Sequence, residues 1–351
     1  MAINSKTPII IAGPCSAESY EQVIATAKAL SECTKITAFR SGVWKPRSRP
    51  GTFEGAGDVA LQWLKEVKAK YNFPIAIEVA TPEHVETALK NDIDILWIGA
   101  RTTSNPFSVQ ELASALKGAN CQVMVKNPVN PDLELWIGAI ERVMKAGCMD
   151  VTAIHRGFYP YEQTPYRNIP KWEIPIELKT RFPEIPIICD PSHIAGERAL
   201  VAEVSQYALN LNFDGLIIES HIDPDKALSD ARQQLTPENL IKLLRSLEFR
   251  TDQEEVSISQ LENLRHQIDS IDSQILELLS QRMNATMKIG RYKSKHNIAA
   301  FQLKRWKNII RSRIETGSTL GLDPEFVKKM LQSVHKESIR VQNEVMKKSK
   351  H

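Results

Sequence analysis

Cys15, His193, Glu219 and Asp230 offer one thiolate, one imidazole and two carboxylates. Such a mixed sulfur, nitrogen and oxygen set suits a divalent Mn, Fe, Co or Zn ion and leaves room for a substrate oxygen. A second group is cationic: Arg40, Lys45, Arg47, Arg101, Lys126 and Arg156. Singly, each residue has a plainer reading. Cys15 fits a packed core thiol, Glu219 a salt bridge capping a barrel, and isolated Lys and Arg are mostly solvated. Gathered at one mouth, the cations would repel strongly without an anion among them. Together they suit a site for two phosphorylated or carboxylated substrates.

The elements that would gather them are eight short apolar runs, at 8–12, 37–39, 74–77, 95–99, 122–125, 151–154, 185–188 and 215–218. Nearly all lead into an ionisable residue: Cys15, Arg40, Glu78, Arg101, Lys126, His155 and Arg156, Asp190 with His193, and Glu219. Between successive runs lies enough chain for a crossover helix. The pattern predicts an α/β fold, a (β/α)8 TIM barrel with its reacting groups at the C-terminal strand ends. Runs one, seven and eight are neighbours across the closure, which would bring the metal-type residues together. Runs two, four, five and six would carry the cations. Glu78, after run three, has no assigned role beyond orienting a cation or balancing charge. The segment 156–175 is too long for a simple connection and is expected over the mouth.

At 351 residues, with 42% hydrophobic and 25% charged residues, the chain suits two domains with a large core. Five scattered cysteines without a CxxC pair fit a reducing cytosol, hence a cytoplasmic protein. No run approaches 18 apolar residues, so neither a signal peptide nor a membrane partner is expected. The net charge of +3 conceals an asymmetry. Residues 1–255 hold 27 Lys and Arg against 33 Asp and Glu; residues 256–351 hold 18 against 9. The basic end suggests an anionic ligand there, or a solvated basic surface.

Strand signals stop at the polar stretch near 250–257. We therefore divide the chain into a barrel domain at 1–250, a linker at 251–256 and an all-α domain at 257–351. The latter reads as three helices. The first spans about 259–295, with Leu261, Leu264, Ile268, Ile271, Ile275, Leu278, Ala285 and Ile289 stepping by three and four. The second spans about 302–316 and ends at Gly317. The third starts near Asp323 and Pro324 and runs through Val345. Three helices expose much of the first helix's stripe, so a homodimer through the helical domain is the expected remedy. The same stepping reaches Arg282, with Arg265 and Lys293 beside the seam. Ser338 and Gln342 share a face of the third helix with Val327, Met330 and Val334. Cations beside an apolar seam are costly unless paired with anions, which points to a polar pocket between helices. A coiled-coil seam with polar register-setting residues is the alternative. No nucleic-acid partner is expected, because the cations fall inside the seam.

The strings GPCS (13–16), WKPRS (44–48), IGAR (98–101), VKNP (125–128), IHRG (154–157), DPSH (190–193) and IIESH (217–221), with LSDARQQL (228–235), resemble the type I-beta 3-deoxy-D-arabino-heptulosonate 7-phosphate (DAHP) synthases. KPRS separates them from the 3-deoxy-octulosonate 8-phosphate synthases. The resemblance implies condensation of phosphoenolpyruvate with erythrose 4-phosphate, releasing phosphate. It implies that Cys15, His193, Glu219 and Asp230 hold a divalent metal. Arg40, Lys45, Arg101, Lys126 and Arg156 would line the phosphoenolpyruvate site, and Lys45, Pro46, Arg47 and Ser48 would meet erythrose 4-phosphate. Residues 264–293, with FQLKRW (301–306) and ESIRVQ (337–342), resemble the all-helical chorismate mutases. That implies rearrangement of chorismate to prephenate, with Arg265, Arg282, Lys293, Arg305, Ser338 and Gln342 binding substrate and Arg282, Lys293 and Gln342 acting in catalysis. Arg265 would serve a partner subunit's site. Gln302 and Trp306 stand where that family often has Asp and Glu, which leaves a non-catalytic sensor domain as the alternative reading. The fusion suggests feedback of prephenate or chorismate on the barrel.

Overall fold

The computed structural model describes residues 8–45, 52–161, 163–249 and 258–348, and the chain divides into two compact units, 1–252 and 253–351. In the first unit the strands are β1 (Ile9–Gly13), β2 (Ala38–Arg40), β3 (Ile75–Val79), β4 (Ile95–Ile98), β5 (Gln122–Lys126), β6 (Val151–His155), β7 (Ile187–Cys189) and β8 (Gly215–Glu219). Each pairs in parallel with the next, and β8 closes on β1 through Ile9↔Gly215 to Gly13↔Glu219. The expected barrel is therefore present.

Side chains alternate across a strand, and the apolar residues sort accordingly. Ile9, Ile11, Ala38, Ala76, Ile95, Trp97, Met124, Ile154, Ile188 and Ile217 fill the barrel interior. Their neighbours Ile10, Phe39, Ile77, Leu96, Val125, Ala153 and Ile218 face outward into the helical layer. Two residues beyond an interior position is again interior. That step carries Arg40, Glu78, Lys126, Arg156, Asp190 and Glu219 to the C-terminal mouth. It also sends His155 the other way. Its ring lies among Trp136, Phe158, Trp172 and Phe213, with centroids 5.2–6.3 Å away, and burial pushes the imidazole down to about 3. Of the pair that ends the sixth run, only Arg156 serves the mouth.

The second unit consists of a long helix (Ile258–Lys295), a middle helix (Leu303–Thr319) and a last helix (Pro324–Lys348). Asp323 accepts a hydrogen bond from the Phe326 amide and Pro324 follows it, the expected N-terminal cap. The middle helix does not stop at Gly317. It continues to Thr319, and Gly321 takes the left-handed conformation instead (φ +78°). Gly317 is small for a different reason: a Cβ there would lie 2.7 Å from Val327 Cγ2, where the middle and last helices meet. The long helix turns Thr286 and Gly290 inward, and a Cβ at Gly290 would come within 3.2 Å of Gln342 Cα. Its apolar stripe stays bare, with Ile268 57% and Leu278 64% exposed.

Gly317→Val should destabilise the helical unit by roughly 1–3 kcal/mol through overpacking against Val327, read as an earlier urea midpoint by circular dichroism. An unchanged midpoint would show that the contact yields freely.

Candidate active site

At the C-terminal mouth a cavity of about 360 Å³ is lined by Lys45, Arg101, Lys126, Arg156 and Arg167 together with Glu78, His193 and Asp230. Cys15, Glu219 and Asp230 bring one ligand atom each to within 4.8 Å of one another. Cys15 Sγ lies 3.4 Å from Asp230 Oδ2. His193 stands beside them: Nε2 is 3.9 Å from Asp230 Oδ2, and Nδ1 is 3.8 Å from Glu219 Oε1 and 2.9 Å from Asp190 Oδ2. The short helix Pro191–Ala195 positions it, capped by Asp190, whose Oδ1 accepts from the His193 amide.

The electrostatics fit a cation in this corner. Burial, then the Glu219 charge, pushes the Cys15 thiol up to about 12, so without a cation the sulfur keeps its proton. The carboxylates remain ionised. Burial would raise Asp230, but His193, Arg167 and Lys45 hold it below the usual carboxylate range. Glu219 is likewise lowered by His193 and Arg40 against its own burial, and Asp190 by His193 and Lys126. A soft thiolate with hard oxygens and an imidazole is a donor set for a borderline divalent ion.

The cations divide into two kinds. Arg40 is fully buried, 3.2 Å from Glu219 Oε1, and its guanidinium lies 5.0 Å from the Trp97 ring centroid. Lys126 contacts Asp190 Oδ2 at 2.8 Å, and Arg167 contacts Asp230 Oδ1 at 3.0 Å. Lys45 Nζ donates to Cys15 Sγ at 3.2 Å, and the neighbouring Glu78 charge favours its ammonium form. Arg156 is different. Its Nη1 donates to Asn168 Oδ1 at 2.7 Å and, more weakly, to the Gly157 carbonyl at 3.4 Å, both neutral. Burial, with Arg167 and Arg101 nearby, pushes it down to about 10 despite Asp190. Arg156 is thus a half-buried guanidinium whose hydrogen bonds go only to neutral groups, an arrangement suited to an anion.

Pro46, Arg47 and Ser48 lie outside the described residues. Glu78 lines the cavity, and its carboxylate occupies the space a side chain at Gly99 would need. Asp190, Arg167 and Gln233 belong to the site although sequence reasoning gave them no role. Gln233 Nε2 donates to Glu219 Oε2 at 2.7 Å and Gln233 Oε1 accepts from Arg167 at 2.7 Å. Asp190 stood in view, two residues beyond interior Ile188. Arg167 lies in the long loop, whose ends pair at Phe158↔Ile169 and which brings Tyr159, Arg167 and Asn168 to the cavity wall. A larger cavity, about 900 Å³, opens at the opposite end of the barrel around Ile9, Ile95 and Gln122. Its polar groups include Lys68 bonded to Asp94 at 2.7 Å and Gln122 to Asp150 at 3.1 Å, so size there does not mark chemistry.

In the helical unit, Arg282 Nη1 donates to Ser338 Oγ, and Gln342 Nε2 donates to the Ser338 carbonyl at 3.3 Å, leaving Gln342 Oε1 buried without a partner among the described residues. Lys293 Nζ donates to the Ala300 carbonyl at 2.7 Å. Burial lowers both Arg282 and Lys293. Arg305 is exposed, and exposed Arg265 pairs with Glu262 at 2.6 Å. Arg265 precedes Arg282 by seventeen residues of one helix, about 25 Å, so the two cannot serve one pocket within a single chain. Trp306 stacks on His335, with centroids 3.9 Å apart and planes 12° from parallel.

The DAHP synthetase I family matches residues 2–255, and the family chorismate mutase type II matches residues 264–343. Phospho-2-dehydro-3-deoxyheptonate aldolase of Thermotoga maritima is 32% identical over 69% of this chain and 70% of its own length. A 2-dehydro-3-deoxyphosphooctonate aldolase of Nitratidesulfovibrio vulgaris is 26% identical over 68% of this chain and 90% of its own. The crystal structure of the Thermotoga maritima aldolase superposes with a TM-score of 0.61 at 31% identity, covering 68% of each chain. A truncated form of 3-deoxy-D-arabino-heptulosonate 7-phosphate synthase from that organism gives 0.59 at 29%, covering 68% of this chain and 84% of the other. The chain belongs to the DAHP synthetase I family and carries a chorismate mutase type II domain C-terminal to its barrel, which makes it a bifunctional enzyme.

Proposed function

We propose that the barrel, at about 1–250, joins phosphoenolpyruvate to erythrose 4-phosphate at the cavity around Arg156, and that the helices, at about 257–351, rearrange chorismate to prephenate. The observation that carries the first assignment is one cavity lined by Asp230 and His193, with Cys15 and Glu219 clustered against Asp230, and by the half-buried Arg156, whose guanidinium hydrogen-bonds only neutral groups. Arg156, Arg101 and Lys126 hold the phosphate and carboxylate of phosphoenolpyruvate. Arg40 stands beneath them, its charge shared with Glu219. Fixing two anionic substrates side by side supplies proximity and removes the repulsion that would keep them apart. Cys15, His193, Glu219 and Asp230 would hold a divalent ion, which as a Lewis acid would polarise the aldehyde. Lys45 is the proton donor to the oxygen that becomes the new hydroxyl. Asp190 orients His193 and neutralises Lys126.

In the helical unit no covalent partner is needed. The flexible dianion must be held in its compact form, with donors at the ether oxygen as the C–O bond breaks. Arg282 and Arg305, with Arg265 of a second copy, bind carboxylates; Ser338 orients Arg282; Lys293 and Gln342 stabilise the ether oxygen. The bare stripe from Leu261 to Leu278 is the surface of a homodimer, because so long an apolar face is seldom left in water. Trp306, an apolar ring stacked beside the seam, favours a second reading in which the helices bind their ligand but turn it over poorly.

A coupled assay of the full chain tests both activities. Chelation should abolish synthase turnover, and Mn²⁺, Fe²⁺, Co²⁺ or Zn²⁺ should restore it, while chorismate turnover is untouched; a synthase indifferent to chelation would remove the metal assignment. Lys45→Met should lower synthase kcat by about 10²–10⁴, and near-normal turnover would sink its role as donor. Saturating prephenate should inhibit the synthase through a change in domain arrangement or barrel access; equal rates with and without it would end the feedback proposal.

A further inference from the structure

His335 lies on the last helix one turn before Ser338, and neither the synthase chemistry nor the carboxylate-binding cations account for it. Its ring is stacked face to face on Trp306 of the middle helix and meets Phe301 at 5.9 Å and 58°. Two aromatic contacts fix the plane of the imidazole and leave its edge to do any bonding. Nε2 is buried and has no hydrogen-bond partner among the described residues. A buried polar nitrogen without a partner costs stability, so its retention asks for a ligand. Arg282 and Lys293, on the long helix, are the charges that face it. With burial they hold the ring below its ordinary pKa, so it is neutral near pH 7. A neutral imidazole brings no charge to the capture of carboxylates, which the cations already serve. It is suited to an uncharged hydroxyl, as donor or acceptor according to its tautomer.

We propose that His335 Nε2, oriented by Trp306, is the hydrogen-bond partner of the ring hydroxyl of the dicarboxylate bound between these helices, and so a specificity-determining residue of that site. The inference rests on the chorismate and prephenate reading of the helical unit. It gives Trp306 a use: the indole is the platform that aims the imidazole.

The test measures binding of prephenate, and of the same dicarboxylate lacking the ring hydroxyl, to the full-length chain by calorimetry. The wild-type chain should prefer prephenate by ~10-fold or more, the usual size of one hydrogen bond in a desolvated site. His335→Phe keeps a ring for the stack and removes the nitrogen; it should weaken prephenate selectively and erase the preference. His335→Gln should restore part of it. A preference in His335→Phe equal to the wild type overturns the proposal. Should both variants unfold by circular dichroism, ¹⁵N-histidine spectra of the wild type decide: prephenate must move the His335 Nε2 resonance and the deoxy compound must not. A chain that binds prephenate but leaves chorismate unchanged would remove the mutase reading and leave the His335 comparison intact. A chain that binds neither ligand overturns both.

Discussion

Arg40 and Glu219 are both fully buried and lie 3.2 Å apart at the C-terminal layer of the barrel, and the rest of the active end is arranged around keeping that pair ionised. Desolvation disfavours each charge, and their mutual attraction offsets it only if the remaining lone pairs and protons find partners. Gln233 bonds the second oxygen of Glu219 and Trp97 lies under the guanidinium, but Arg40 Nε and Nη1 are buried without a hydrogen-bond partner among the described residues, so the pair is only partly satisfied. Removing either charge would strand the other in a medium that tolerates it poorly. The pair also fixes where everything else stands. Glu219 anchors the acidic corner with Asp230 and His193, and Arg40 stands beside the cations that line the cavity.

That arrangement explains why the mouth can hold so many cations without collapsing outward. Arg40, Lys126 and Arg167 each have a carboxylate within about 3 Å, so they contribute local fields with little net charge. Arg156 differs, because Asn168 and Gly157 fix its direction without neutralising it. A site with every cation paired would bind anions weakly, and one with none paired would oppose folding. The division of labour meets both demands, and Asn127, which accepts from the Arg156 amide at 2.7 Å, fixes the backbone at the residue where the balance is struck.

The barrel was legible because parallel strands buried on both faces write themselves as short apolar runs, and because the period of two tells which residue after each run faces inward. Arg40, Lys126, Arg156 and Glu219 follow from that rule alone. Arg167 and Gln233 do not, since they reach the site from a long loop and a turn, where no periodicity constrains direction. His155 shows the rule's sharpness: one residue earlier than Arg156, it belongs to an aromatic cluster outside the barrel. In the helical unit, the apolar stripe was plain from its steps of three and four, but periodicity does not say what covers a stripe. The last helix packs instead on the Thr286 and Gly290 face, small residues that no hydrophobic pattern marks. Gly317 misled for a related reason. A glycine near a helix end reads as a terminator, whereas here it is a point of close helix contact.

The length of the long helix links that bare stripe to the proposed ligand site. Arg265 and Arg282 are about 25 Å apart along one rigid rod, so a dicarboxylate that uses both must draw them from two copies. An antiparallel second copy, laid along the stripe, would bring its own Arg265 toward the Arg282 end while covering Leu264, Ile268 and Ile271. Burying the stripe and completing the site would then be one event. Ligand that binds only the completed site stabilises the pair by mass action, and the same linkage requires association to tighten the ligand. In a helical domain built this way, occupancy of its site would alter the free energy of its own assembly.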